Sequence, residues 1–169
     1  MKLLSLLVSI LSLGLALELG QIPKTIVLEG DKGAQVNGEA FSSEILKTKL
    51  HILFYVDPDE KEMNEHVSSA LKEQNFDKNA YASVAIINMA ATWLPNFAIA
   101  SKLKSKQETY PDTLYVKDLQ SVLVKEWDLK DDSSNVVLFA KDGRVLFIKK
   151  GKLSSEETLE LISLIQDNI

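Results

Sequence analysis

The residue types best suited to chemistry are gathered in one acidic segment, residues 57–66, with the sequence DPDEKEMNEH. It holds five carboxylates and one histidine. Carboxylate oxygens suit hard cations such as calcium and magnesium, and paired carboxylates can perform general acid–base catalysis. An EF-hand loop is excluded, because Glu62 stands where that loop requires its turn glycine. The segment therefore raises two hypotheses, a cation site and a carboxylate-based enzyme.

The same residues also match the start of a helix. Asp57 suits the N-cap, Pro58 the first helical position, and Glu60 completes a capping box. Glu62 and His66 lie four residues apart, a spacing that can hold zinc, but the sequence offers no third ligand nearby. Helix-start chemistry therefore accounts for the segment better than a metal does, and we expect no metal and no cofactor.

The composition excludes several other classes of function. The chain of 169 residues has no cysteine and only two histidines, which excludes disulfide bonds, thiol chemistry and thiolate metal sites. The net charge of −5 argues against binding to the phosphate backbone of a nucleic acid. No phosphate-binding loop, dinucleotide fingerprint or hydrolase nucleophile motif is present.

The N-terminal segment has the pattern of a secretory signal peptide. Lys2 precedes a nearly unbroken apolar run from Leu3 to Leu15, and the small residue Ala16 predicts cleavage close to it. The run is shorter than the ~20 residues that span a bilayer. We expect residues 1–16 to be a signal peptide and residues 17–169 one domain, periplasmic or secreted. Membrane attachment would require that the segment stays uncleaved.

Strands and helices alternate around the acidic segment. The apolar run 50–56 predicts a strand buried on both faces, and residues 82–88 predict a second one. A helix predicted from Pro58 to Gln74 connects them, so the two strands should be parallel. The other predicted elements are strands at 24–29, 34–37, 113–116, 122–126, 136–140 and 145–149, and helices at 42–47, 95–106 and from Ser154 onward. This order predicts a mixed α/β sheet with helices on both faces.

The second half of the chain resembles a known family. Residues 135–157, NVVLFAKDGRVLFIKKGKLSSEE, resemble the C-terminal hairpin and helix start of the thioredoxin fold. The stretches KEMN at 61–64, YPDTLYV at 110–116 and EWDLKDDSSNVVLFAKDGRV at 126–145 resemble the YtfJ family of small secreted bacterial proteins. The resemblance covers roughly residues 20–166 and implies an α/β, thioredoxin-like fold. It implies no activity.

Comparison with the thioredoxin pattern places polar residues where the redox groups would stand. Asp59 and Glu62 take the positions of the paired thiols, and Asn135 takes the position of the cis-proline. Because disulfide exchange requires a thiolate, the resemblance implies a redox-inactive protein.

The polar residues 131–135 replace the cis-proline loop, which in the thioredoxin fold lines a groove for an extended peptide. An ordinary polar turn before a strand is the alternative explanation. The candidate binding residues are Asp59, Glu62, Ser133, Ser134 and Asn135, which we expect to meet at one end of the sheet.

The leading hypothesis is a module without catalytic activity that binds a periplasmic protein or peptide, and no nucleic acid. The alternative is a metal-dependent or carboxylate-based enzyme that uses residues 57–62.

Overall fold

One mixed six-stranded sheet organises the molecule. The structure is a computed structural model and describes residues 16–169. Except for Ala16, the predicted signal peptide lies outside the described residues. The strands are β1 (Val27–Leu28), β2 (Gly33–Gln35), β3 (Phe41–Ser42), β4 (Leu50–Val56), β5 (Tyr81–Asn88), β6 (Thr113–Asp118), β7 (Ser134–Phe139) and β8 (Val145–Lys150). The helices are α1 (Glu65–Glu73), α2 (Asn96–Thr109), α3 (Val122–Trp127) and α4 (Ser155–Asn168), and short 3-10 turns lie at 30–32, 43–47 and 58–60.

The strand order in the sheet is β2-β6-β5-β4-β7-β8. Strands β4, β5 and β6 are parallel to one another, and β7 pairs antiparallel with β4. The predicted parallel pairing of β4 and β5 is therefore confirmed. The small strands β1 and β3 pair with each other outside this sheet.

Helices cover both faces of the sheet, as predicted. On one face α3 packs with the N-terminal elements around Leu53, Tyr55 and Trp127. On the other face α1 and α4 pack around Leu50 and Ile52, and a neighbouring cluster holds α2 against β5 and β6. The central strand β4 is thus buried from both sides, which explains its unbroken apolar sequence. Within residues 16–169, no helix combines the length and apolar character that crossing a membrane requires.

The predicted C-terminal hairpin and helix start are confirmed. Gly143 lies at the turn with φ +87°, and its N–H donates to the carbonyl of Ala140 at 2.9 Å. This positive φ explains why the turn takes glycine. Ser154 and Glu157 form the predicted capping box at the start of α4.

The predicted strand at 122–126 is wrong, because these residues form α3. Alternating apolar residues indicated a strand, but Leu123 and Trp127, four residues apart, are the two that are buried. Asp118 at the end of β6 turns the chain into the helix: its carboxylate accepts the backbone N–H of Leu123 at 3.1 Å. Ser121 adopts a left-handed conformation with φ 52° and interrupts the extended backbone.

Two other predicted elements are shorter than expected. The strand predicted at 24–29 is reduced to β1. The helix predicted from Pro58 to Gln74 is divided, since a 3-10 turn occupies 58–60 and α1 begins only at Glu65. The break places residues 61–64 in a loop, which matters for the site described below.

Asp118 is expected to carry a large share of the stability at this end of the sheet. Its buried carboxylate accepts bonds from Tyr55 Oη at 3.0 Å and from the N–H groups of Leu123 and Gln120, each at 3.1 Å. Asp118→Ala leaves these donors unpaired, so we expect a loss of at least about 3 kcal/mol in the free energy of unfolding. Tyr55→Phe is the control: it removes one donor, and we expect a loss of only about 1–2 kcal/mol. Urea unfolding measures both, and equal losses would contradict this account of Asp118.

Candidate functional site

Three loops meet at one edge of the sheet. Residues 57–64 follow β4, residues 89–95 follow β5, and residues 128–133 lead into the antiparallel β7. The backbone N–H of Asp57 donates to the carbonyl of Ser133 at 2.9 Å, which joins the first and last of these loops. The expectation that the loops around Asp59–Glu62 and Ser133–Asn135 meet at one end of the sheet is therefore confirmed.

Asp57 acts as the predicted cap, but without the predicted capping box. Its Oδ1 accepts the N–H of Asp59 at 2.8 Å, and Pro58 occupies the first position of the 3-10 turn. The capping box with Glu60 is wrong, because the N–H of Asp57 already donates to Ser133 across the edge. Glu62 precedes α1 and so does not share a helix face with His66.

The Asp57 side chain lies in an environment that opposes its charge. The residue is only 3% exposed, and burial raises the pKa of its carboxyl above the ordinary value, with smaller contributions from the charges of Asp59 and Asp132. The hydrogen bond that Asp57 accepts from the Asp59 N–H lowers the pKa. The ionised form is therefore partly stabilised by the cap and partly destabilised by burial and like charge.

Asn64 joins the acidic loop to the other half of the sheet. Its Nδ2 donates to the carbonyl oxygen and Oγ of Ser134, both at 3.1 Å, and to the carbonyl of Gly151 at 3.0 Å. Its Oδ1 accepts the N–H of Leu153 at 3.0 Å. Asn64 is only 3% exposed, so these four bonds take the place of the hydrogen bonds that its side chain would otherwise make with water.

The candidate residues Ser133, Ser134 and Asn135 are buried, and the last two belong to β7 rather than to a loop. Asn135 Nδ2 donates to the carbonyl of Lys130 at 2.8 Å, and its Oδ1 accepts the N–H of Lys130 at 2.9 Å. Ser133 Oγ lies 3.9 Å from the sulfur of Met63. These side chains hold the two loops together, and their role in binding a partner stays a prediction.

Asp59 and Glu62, the other two candidates, are exposed at the surface. They line a shallow depression of about 410 Å³ that is formed by residues 58–63 and Leu94. Leu94 comes from the loop after β5, so the depression lies between two of the loops that meet at this edge. Its walls combine the carboxylates with the apolar side chains of Met63 and Leu94.

Two large aromatic residues close to Leu94 in the chain have exposed side chains. Trp93 is 86% exposed and Phe97, in the first turn of α2, is 78% exposed. In the described residues no other large apolar side chain is as exposed as these two. Trp127, by contrast, is 1% exposed and belongs to the core.

A polar chain behind this surface connects the remaining loops. Ser121 Oγ donates to Asn88 Oδ1 at 2.9 Å, and Asn88 Nδ2 donates to Asp131 Oδ1 at 2.8 Å. Asn88 is the last residue of β5 and is buried, so it fixes the position of the loop that contains Asp131. In residues 16–169, every buried side-chain nitrogen and oxygen has a hydrogen-bond partner.

The two histidines do not form a metal site with the carboxylates in the described residues. His66 Nε2 lies 3.1 Å from the carbonyl of Leu153, and burial lowers the pKa of His51 within β4. Across the described range 16–169, no group of three or more histidine and carboxylate side chains is arranged to hold a metal ion.

Comparison with known proteins identifies the family. Residues 25–168 match a family of bacterial proteins of unknown function, YtfJ_HI0045. The chain belongs to this family. The uncharacterized protein YtfJ of Escherichia coli (strain K12) is 29% identical over 145 residues, which cover 83% of this chain and 77% of that protein. An uncharacterized protein of Haemophilus influenzae is 32% identical over 107 residues, which cover 62% of this chain and 58% of that protein.

Solved structures establish the fold. A peroxiredoxin-like protein from Aquifex aeolicus has a TM-score of 0.63 at 10% identity, covering 92% of this chain and 90% of that chain. A thiol-disulfide isomerase from Corynebacterium glutamicum has a TM-score of 0.59 at 18% identity, covering 85% of this chain and 95% of that chain. The fold is thioredoxin-like, as the sequence resemblance implied. This family member has no cysteine, so it provides no thiolate for disulfide exchange.

Sequence reasoning missed Asn64. A single asparagine in a polar segment carries no sign of burial, because its four partners come from distant parts of the chain. Asn88 and Asp118 could have been noticed, since both are polar residues that end parallel strands.

Replacement of Asn64 by aspartate should destabilise the protein strongly. A carboxylate there would face the carbonyl oxygens of Ser134 and Gly151, which now accept hydrogen bonds from Nδ2. We expect Asn64→Asp to lose about 3–5 kcal/mol at pH 7, because the new charge is buried without a partner. The loss should be smaller at pH 4, where the carboxyl is protonated and again donates. Asn96→Asp, at the exposed start of α2, adds the same charge and should change the unfolding free energy little. A loss independent of pH would argue against buried charge as the cause.

Asp57 should reduce stability in its ionised form. Since the folded state raises its pKa, the carboxyl binds a proton more tightly in the folded than in the unfolded chain, and stability falls as the pH rises through this range. Asp57→Asn keeps an acceptor for the Asp59 N–H and removes the charge. We expect this variant to unfold at a higher temperature than the parent at pH 7, with the difference shrinking at acidic pH.

Asp142→Asn provides the matched control with the opposite sign. The N–H groups of Arg144 lower the pKa of Asp142, so its charge favours the folded state. Neutralising it should decrease the melting temperature at pH 7. A shift in the same direction for both variants would show that net charge, rather than the setting of Asp57, controls the effect.

Proposed function

We propose that the protein is a redox-inactive thioredoxin-fold module that binds a protein or peptide partner at the edge of the sheet where residues 57–64 and 89–95 meet. The observation that carries this proposal is the depression lined by residues 58–63 and Leu94, together with the exposed side chain of Trp93, which precedes Leu94 in the chain. Exposed aromatic side chains next to a concave surface are characteristic of sites that bind other proteins.

The hydrogen bonds behind the surface support binding rather than catalysis. Asn135, at the position of the cis-proline, uses its amide to hold the backbone of Lys130. Asn64 uses its amide to hold β7 and the segment after β8. Polar groups that are fully engaged within the fold preorganise a surface for binding.

The site of action that we propose is outside the cytoplasm. The pattern of residues 1–16 supports export through a signal peptide. The partner is then a periplasmic or secreted protein.

A carboxylate-based enzyme is the second candidate, and the raised pKa of Asp57 supports it. Perturbed carboxyls beside other carboxyls occur in catalytic sites. However, Asp57 is 3% exposed and its Oδ1 already accepts the Asp59 N–H, so it is poorly placed to meet a substrate. We therefore favour the binding module.

Site-specific cross-linking tests the proposal. A photoreactive residue at position 62, in the depression, should yield a discrete adduct with one partner protein in the periplasm of the source bacterium. The same residue at position 167, at the far end of α4, should yield none, since that position is exposed but distant from the edge. Mass spectrometry identifies the adduct. Identical adducts from both positions, or none from either, would refute the proposed surface.

A further inference from the structure

The acidic loop carries charge that the fold does not neutralise. Residues 57–65 contain five carboxylates and one ammonium group, that of Lys61. Within residues 16–169, the ion pairs link residues elsewhere, such as Lys149 with Glu157 and Lys150 with Asp128, and none involves this loop. Asp59 and Glu62 are exposed next to each other along the depression. A cationic partner would therefore gain electrostatic energy here without displacing an internal ion pair.

The segment around Leu94 presents apolar area that remains in contact with water. Trp93 and Phe97 leave most of their side chains exposed, whereas residues of this type bury about 150–250 Å² each when packed. Leu94, their neighbour, lines the depression itself. We call residues 58–63, Trp93, Leu94 and Phe97 the acidic–aromatic surface.

We infer that the acidic–aromatic surface binds an arginine-containing segment of the partner protein, with an apolar side chain in the depression and guanidinium groups on the carboxylates and on Trp93. This inference rests on the proposed function, because it specifies the chemistry of the same site. The guanidinium group combines both features of the surface: its planar fork pairs with carboxylates, and its face stacks on an indole ring. A lysine ammonium pairs with the carboxylates but stacks less well.

The negative charge of the acidic loop argues against other classes of partner for the acidic–aromatic surface. Anionic lipids and nucleic acids would be repelled by the carboxylates around the depression. A second copy of this chain has a net charge of −5 and would bring like charge to the contact. A basic segment is the partner that complements both the charge and the apolar area.

Peptide binding tests the inference directly. The probe is a fluorescently labelled nine-residue peptide of alternating arginine and leucine, titrated with the full mature protein and followed by fluorescence anisotropy. Saturable binding is expected, with the lysine version weaker and the glutamate version not bound. We expect Trp93→Ala to weaken binding at least about fivefold, with Trp93→Phe retaining part of the affinity. Leu159→Ala, an exposed apolar residue on α4, is the control and should have no effect.

A charge-reversal pair separates local recognition from general attraction. Asp59→Lys with Glu62→Lys should weaken binding at least about tenfold. Glu108→Lys with Asp167→Lys makes the same change in net charge at the ends of α2 and α4, and should leave the affinity nearly unchanged. Equal losses from the two pairs, or equal binding of the glutamate peptide, would overturn the inference. The inference would also be overturned if the parent protein self-associates, Trp93→Ala abolishes this self-association, and no peptide binds.

The two proposals fail in different ways. An adduct at position 62 without binding of the arginine peptide overturns the inferred chemistry and leaves the binding module intact. Absence of both the adduct and peptide binding overturns both. Binding to vesicles of anionic lipid in place of the peptide overturns the inference as well.

Discussion

The four hydrogen bonds of the buried Asn64 side chain determine where the acidic loop lies. They join the loop after β4 to β7 and to the segment after β8, so one amide ties together parts of the chain about 70 and 90 residues apart. The backbone bond from Asp57 to Ser133 holds the start of residues 58–63 at the sheet, and Asn64 holds their end. The place of the depression and of its exposed carboxylates at this edge depends on these bonds.

The edge of the sheet keeps the architecture of the thioredoxin fold with different chemistry. This chain has no cysteine to supply the thiolate of disulfide exchange, and the loop after β4 instead presents exposed carboxylates at Asp59 and Glu62. Where loops must be held in place, it has the buried amides of Asn64, Asn88 and Asn135. A surface held in this way is preorganised, and preorganisation reduces the conformational entropy that a partner must overcome on binding. Asp57 differs from these amides, because it destabilises the fold when it is ionised. Burial and like charge raise its pKa, so its ionised form opposes folding.

Sequence patterns predicted the elements whose character is set locally. The apolar run of β4, the Asp-Gly turn before β8 and the Ser154 capping box were read correctly, because each depends on residues close together in the chain. The interpretation of 122–126 as a strand failed because apolar alternation does not reveal the cap: Asp118, at the end of the preceding strand β6, accepts the N–H of Leu123 and so holds the first turn of α3. The capping box at Asp57 failed for a related reason: its N–H pairs with Ser133 rather than with the nearby Glu60.

By itself, the sequence determined the class of fold, the absence of thiol chemistry and the concentration of negative charge after β4. These properties follow from residue types and from apolar periodicity, both of which are local. Tertiary structure alone decided which polar residues meet solvent. Ser134 and Asn135 belong to a polar run that predicts a loop but are buried in β7, while the large aromatic side chains of Trp93 and Phe97 are exposed. The reason is physical: burial of a polar group depends on hydrogen-bond partners that other strands bring to it, and these partners exist only once the sheet has formed.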